Sequence, residues 1–373
     1  MRIGILTLPF NNNYGGYLQA YALMAILKQM GHDVELIYRR HNRRPFKDRF
    51  IYSFKTVAKI ILGKPHGSFI MNQEYDLRQS GKLMMPFVDK FICPKTRPFY
   101  SSEALKNACN GKYDAVIVGS DQVWRAIYVP YIYDFFLGFI NDENVKKIAY
   151  AASFGTATPE YTQGEKAICG RLLREFSAVS VREKSGLDVI DSFGWRKNCN
   201  PHLVLDPTFL LPKEEYIQHL KPFAKHEIFC YILDKNEHIA TIIQSAENVL
   251  HIPAYEILNS ENTETFCKPS IETWLENIYN SDFVLTDSFH GMVFCIIFNK
   301  PFAIHVNQGR GADRFYSLLS QLNLESRIIT QMVDIDRIIM EPINWNDTNK
   351  KLAILKKESM KFLTDALSSK NGQ

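Results

Sequence analysis

The chain has 373 residues, 44 basic and 40 acidic side chains, and a formal net charge of +4. At about 150 residues per domain this length predicts two domains, with a core large enough to need no disulfide or metal. The charge excess is too small to imply a nucleic-acid partner, and none is expected.

The seven cysteines form no CxxC pair. That pattern points to reduced thiols in a cytoplasmic protein rather than a zinc site or a secreted scaffold. The first residues, MRIGILTLPFNNNYGG, do not read as a signal peptide, because the apolar run is short and enters a glycine turn. No segment reaches the roughly 18 apolar residues of a membrane span.

Along the chain, apolar runs of strand length alternate with helix-period segments. The strand candidates are RIGILTL, VELIY, DAVIVGS, KKIAYAASFG, AVSVR, LVLDPTF, EIFCYIL, FVLTDS and PFAIHV. Many are continuously apolar, as expected of strands covered on both faces of a parallel sheet. In GYLQAYALMAILKQMG, Leu23, Ile26, Leu27 and Met30 follow helical spacing, and Gly31 suits a helix C-terminus. The alternation predicts an α/β fold with two Rossmann-like domains facing a cleft. The predicted boundaries are 1–205, with a basic helical insertion at about 39–110, then 206–345, then a C-terminal helix at 346–373. The segment LDPTFLLPKEEY reads as the crossing between the domains, punctuated by Pro207 and Pro212.

Six stretches carry candidate chemistry. In NNNYGGYLQ, Asn13, Gly15 and Gly16 sit where a strand ends and a helix begins, a position suited to phosphate or carboxylate. Ser120 and Asp121 end the strand DAVIVG; Asp121 is read either as a ligand contact or as an N-cap of the next helix. Ser153, with Phe154 and Gly155, ends another strand with small residues that permit close approach, either of a ligand or of packed backbone. Arg182 lies at the end of AVSV, placed either for bidentate anion binding or for a salt bridge with Glu183.

The fifth stretch is LTDSFHGMVFC, where Ser288 and His290 stand between a strand and a wholly apolar helix. A helix N-terminus favours the neutral imidazole and a bound phosphate favours imidazolium; both forms serve proton transfer. The sixth is GRGADRFYSLL, where Arg310 or Arg314 is positioned to clamp an anion. No His/Asp/Glu cluster is spaced for a metal, so no metal or cofactor is expected.

In this order, NNNYGGYLQAYAL, DAVIVGSDQVW, YAASFG, SVREKSG, LVLDPTFLL, FVLTDSFHG and GRGADRFYSLL resemble the polysaccharide pyruvyl transferase family, over about residues 1 to 330. The resemblance implies a GT-B-like fold. It implies transfer of pyruvate from phosphoenolpyruvate to a sugar as a ketal, with release of phosphate. The acceptor would be a cell-surface glycan or its lipid-linked precursor. The family histidine falls on His290 and its VRE arginine on Arg182, the two residues expected to be catalytic. Many members carry an arginine two residues before the histidine; here that residue is Ser288, so Arg310 or Arg314 is the expected substitute.

The stretch from Tyr38 to Gly67 is strongly basic, with Phe50, Ile51, Phe54, Val57, Ala58 and Ile61 on one helical face. It reads as an insertion helix packed on its domain or as a peripheral contact with an anionic membrane. Two other functions remain compatible with the fold: a nucleotide-sugar glycosyltransferase and a carbohydrate-binding member without activity.

Overall fold

The computed structural model describes residues 1–42, 79–218, 220–221, 223, 225–257, 267–307, 311–331 and 334–368. Arg310 lies outside them, and so do residues 43–67 of the basic stretch Tyr38 to Gly67 on which the peripheral membrane contact was read.

Two parallel sheets organise the described chain. The first contains β1 (Arg2–Leu6), β2 (Asp33–Ile37), β3 (Ala115–Val118), β4 (Lys146–Ala152), β5 (Ala178–Val181) and β6 (Pro201–Leu203), in the order β2-β1-β3-β4-β5-β6. Its helices are α1 (Tyr14–Gln29), α2 (Met85–Phe91), α3 (Ser102–Cys109), α4 (Ile132–Phe135), α5 (Gln163–Leu173) and α6 (Lys184–Ser192). The second sheet contains β7 (Ile228–Tyr231), β8 (Ala254–Glu256), β9 (Phe283–Thr286), β10 (Phe302–His305) and β11 (Ile328–Ile329), in the order β11-β10-β9-β7-β8. With it go α7 (Glu214–Ile217), α8 (Glu237–Leu250), α9 (Ile271–Asn280), α10 (Phe289–Phe298), α11 (Asp313–Leu322), α12 (Asp334–Met340) and α13 (Trp345–Ser368).

The apolar runs become strands because both faces of each sheet are covered: every residue of β3, β7 and β9 is buried. In the first sheet the strand order reverses between β1 and β3, and in the second between β7 and β9. Ligand crevices in open α/β sheets form outside the carboxyl ends of strands at such reversals. Here the residues after β1, β3, β7 and β9 line one shared cleft.

Three departures from the sequence reading follow from packing. Helix α1 is not amphipathic in effect: Tyr14, Leu18, Ala22 and Leu23 are all buried, on more than one side. One side packs on its own sheet and the other reaches the second unit, where Tyr14 stacks on Trp274 with ring centroids 5.1 Å apart and donates to Pro269 O at 2.9 Å. The predicted strand LVLDPTF overlaps the observed β6 (Pro201–Leu203) only at Leu203. Beyond it the Asp206 side chain accepts from Thr208 N and Pro207 opens a single 3-10 turn, since proline has no N–H for a sheet ladder. The short strands β8 (Ala-Tyr-Glu) and β11 (Ile-Ile) are too short to give a strand signal of their own and are defined by pairing with β7 and β10.

The last helices return to the first unit. Ser317 in α11 accepts from Lys184 N at 3.0 Å, at the start of α6. Ser359 in α13 accepts from Leu205 N at 2.9 Å, and Phe362 lies against Tyr150 and His202. The terminal helix thus covers the first sheet, with its buried residues Ser359, Leu363, Ala366 and Leu367.

Candidate active site

Local chemistry sets the strand-to-helix junction after β9. Thr286 Oγ1 donates to Tyr231 O at 2.7 Å and accepts from Ser288 N at 3.0 Å. Ser288 is then the N-cap of α10, its side chain accepting from Gly291 N at 3.3 Å. Asp287 accepts from Leu233 N at 2.8 Å and Asp234 N at 2.9 Å, which ties this junction to the loop after β7. Gly291 has no substitute: a Cβ there would stand 2.5 Å from Thr286 Oγ1. Behind the junction the apolar residues of α10 are core.

These constraints leave His290 facing the other unit. Its ring lies against Gly15 at the start of α1; a Cβ at that glycine would be 1.9 Å from His290 Nδ1. On its other edge, His290 Nε2 is 3.5 Å from Asp206 Oδ2. Asp206 is fully enclosed and fixed through both oxygens. Oδ1 accepts from Thr208 N at 3.1 Å and Thr208 Oγ1 at 2.7 Å. Oδ2 accepts from Arg182 Nη1 at 2.8 Å and Ser120 Oγ at 3.1 Å.

Arg182 is the centre of a buried carboxylate cluster. Its side chain is 1% exposed and meets Asp206, Asp121 Oδ1 at 3.5 Å and Glu183 Oε2 at 3.9 Å. The expected Glu183 salt bridge is therefore the longest of three. Burial works against charge in this cluster. It would raise the Asp206 carboxyl, but His290 and Arg182 hold it well below the usual carboxylate range. For Arg182 burial lowers, and the carboxylates of Asp206, Asp121 and Glu183 outweigh it, so the guanidinium stays charged. For Glu183 burial wins over Arg182 and raises its carboxyl.

The cleft in front of His290 has a volume of about 220 Å³. Asn13, Gly16 and Asp121 line it from the first unit; Asp287, Ser288, Phe289, His290 and Arg314 line it from the other side. Asn13 caps α1 by accepting from Gly16 N at 3.2 Å, so the amino ends of α1 and α10 both open on the cleft. Asp121 does not cap a regular helix. It sits at φ +74° and accepts from Gln122 N at 2.9 Å. Arg314, at the start of α11, lies over the Phe289 ring 5.2 Å from its centroid, and Arg182 lies 4.6 Å from the same centroid. Burial and the neighbouring Arg182 push Arg314 down to about 10, against Asp121 and Glu183, which leaves it cationic at neutral pH.

The sequence candidates thus divide. His290, Ser288, Arg314, Asp121, Asn13 and Gly16 line the cleft, and Gly15 packs against His290. Arg182, Ser120 and Ser153 stand behind the wall. Ser120 and Ser153 are fully buried; Ser153 Oγ accepts from Gly155 N at 3.0 Å. Asp206 and Asp287 were missed. Asp206 sits in the LDPT segment, whose signal was an acidic residue directly before a proline turn at a domain crossing. Asp287 precedes an evident N-cap serine and was legible as the residue next to it. Among the described residues no three His, Cys, Asp or Glu side chains gather in a way that could hold a metal ion.

Comparison with solved structures gives the fold. A putative UDP-N-acetylglucosamine 2-epimerase from Listeria monocytogenes superposes with TM-score 0.54 at 9% identity, covering 98% of this chain and 96% of that one. The UDP-GlcNAc 2-epimerase from Methanocaldococcus jannaschii gives TM-score 0.51 at 10% identity, over 96% and 100% of the two chains. A Glycyrrhiza uralensis UGT protein complexed with glycyrrhetinic acid 3-O-monoglucuronide gives 0.50 at 8% identity, over 98% and 95%. The fold is GT-B, two parallel α/β units and a C-terminal helix. No curated protein sequence matches the chain. The family model of polysaccharide pyruvyl transferase matches residues 13–307, from the N-cap of α1 through β10 and across His290, and the chain belongs to that family.

Proposed function

We propose that the protein moves the pyruvyl group of phosphoenolpyruvate onto two hydroxyls of one sugar, forming a cyclic ketal and releasing inorganic phosphate. The observation that carries this reading is His290 at the amino end of α10, in a small cleft with Arg314. A volume of about 220 Å³ is below the range of a drug-sized ligand site and suits a three-carbon anion better than a whole glycan. Arg314 and the two helix amino ends are the groups available to offset the donor's phosphate and carboxylate. Arg314 takes the place of the positive charge that Ser288 lacks. The acceptor is a saccharide of a cell-surface polysaccharide or its lipid-linked precursor, presented at the open side of the cleft.

The chemistry asks for one proton donor and acceptor. A proton delivered to the methylene carbon of the donor turns it into a methyl group and leaves an oxocarbenium-like centre at the adjacent carbon. The first sugar hydroxyl bonds to that carbon and gives up its proton. The second hydroxyl then bonds to the same carbon as the bond to the phosphate oxygen breaks, and its proton leaves with phosphate. His290 donates the first proton and recovers it from the first hydroxyl. No step draws on a metal or cofactor.

No described helix is long and apolar enough to cross a membrane. The membrane-surface role of the stretch from Tyr38 to Gly67 is a proposal for binding to anionic vesicles to test.

The test is a phosphate-release assay with phosphoenolpyruvate and a panel of nitrophenyl and lipid-linked sugars. His290→Gln keeps the size of the side chain and is expected to lower turnover by about 10² to 10⁴. Near-normal turnover would remove His290 from the reaction. Release of a nucleoside diphosphate from a nucleotide sugar, without phosphate from phosphoenolpyruvate, would instead make the protein a glycosyltransferase.

A further inference from the structure

The sequence reading places Arg182 for anion binding, yet its guanidinium is behind the cleft wall. All its polar partners are carboxylates, and the shortest contact is to Asp206. Asp206 in turn stands between Arg182 and His290. Thr208 donates to its Oδ1, Arg182 and Ser120 donate to its Oδ2, and His290 Nε2 lies 3.5 Å from that same Oδ2.

We propose that Asp206 is a positioning residue: it holds the Nε2–H tautomer of His290, so that Nδ1 exchanges protons with donor and acceptor, and Arg182 acts through Asp206 rather than on the donor. This rests on the acid–base role given to His290 above. A neutral imidazole has one N–H, and the partner of one nitrogen decides which. His290 Nε2 is buried and makes no hydrogen bond, and Asp206 Oδ2 stands 3.5 Å from it. Such contacts shorten when substrate fills a site. The other nitrogen, Nδ1, is on the side of Gly15, where the absence of a side chain leaves room for the ring.

The donating form is the imidazolium: when His290 gives its Nδ1 proton to the methylene carbon, the neutral Nε2–H tautomer is left on Asp206. When it takes the proton of the first hydroxyl, the imidazolium lies beside an ionised carboxylate and Asp206 itself gains no proton. Arg182 keeps that carboxylate ionised and immobile. Ser120, which the sequence placed at a ligand site, serves the same carboxylate from β3.

Several charged groups face the pair. Arg182 and Glu183 come from the end of β5, Asp121 from the end of β3, Arg314 from α11, and Asp287 precedes α10. Behind Asp206 are the hydroxyls of Tyr150, donating to Leu205 O at 3.1 Å, and Tyr216, donating to Thr208 O at 2.9 Å.

Two measurements on the full chain test the proposal. The first is ¹⁵N NMR of labelled imidazoles, with His290→Gln to assign the signal. Wild type is expected to show the Nε2–H tautomer in its neutral form, observed at a pH where the imidazolium has lost its proton, and Asp206→Asn a mixture. An Nδ1–H tautomer in wild type, or an unchanged signal in folded Asp206→Asn, overturns the proposal. The second is steady-state kinetics. Asp206→Asn is expected to lower kcat by about 10² to 10⁴ while the donor KM changes by no more than about threefold. Asp206→Glu should recover at least about tenfold of the loss. Arg182→Met should cost little more once Asp206 is Asn, since both act on one path. A raised donor KM with kcat retained in Arg182→Met would make Arg182 a donor ligand and overturn its assignment. If wild type releases no phosphate, the reaction assigned above has failed; the tautomer measurement still decides the pairing.

Discussion

Gly15→Ala puts one methyl group against the proposed acid–base residue. The added Cβ would stand 1.9 Å from His290 Nδ1, 2.2 Å from its Cγ and 2.7 Å from its Cβ. Restoring an ordinary contact of about 3.4 Å requires the ring to move by about 1.5 Å. The move displaces Nε2 from its place 3.5 Å from Asp206 Oδ2. A displacement of about 1 Å at a reacting group can cost about 10² in rate, so kcat should fall at least that far. Stability should change much less. Overpacking costs about 1–3 kcal/mol, while alanine for glycine in a helix such as α1 returns up to about 1 kcal/mol. Phosphate release gives kcat, and urea unfolding gives the stability difference. A variant with wild-type kcat would refute the packing argument. A variant destabilised by more than about 4 kcal/mol would show that the glycine guards the domain contact instead.

Arg314→Ala should raise the donor KM by about ten- to a hundredfold, the size of one or two hydrogen bonds to a charged group. Ser288→Arg in that background should recover part of the loss, because Ser288 lines the same cleft; no recovery would mean that the two positions do not serve one anion. The swap removes an N-cap and should cost about 1 kcal/mol of stability. Acid should unfold the protein partly through Asp206. A carboxyl depressed in the folded state stabilises above its unfolded pKa of about 3.9 and loses that contribution as pH falls through the folded value. Glu183, raised by burial, has the opposite sign: its contribution is complete below about 4.3 and is lost as pH rises through its folded value. Asp206→Asn should therefore flatten the fall in urea midpoint below about pH 4, and an unchanged slope would place the acid sensitivity elsewhere.

Much of this site was readable residue by residue. Ser288 as cap, Gly291 as a close approach and the buried run behind them follow from local rules of capping and helix burial. Arg182 and Arg314 were both legible as cations near strand or helix ends. Their difference was not: Arg182 is enclosed by three carboxylates from β3, β5 and the β6 crossing, and Arg314 reaches the cleft from a helix 132 positions later. Asp206 looked like part of a linker because its partners are distant in the chain: Ser120, Arg182 and His290.

The sequence by itself determined most of the strands and the class of fold, and it singled out the histidine at the strand-helix junction. Each of those depends on neighbours within a turn or a strand, where apolar periodicity and capping act. Tertiary structure alone decided which arginine faces the cleft, which carboxylate meets the histidine and where the terminal helix lies. Those are outcomes of two sheets closing on each other, and charge acts through space across that closure rather than along the chain.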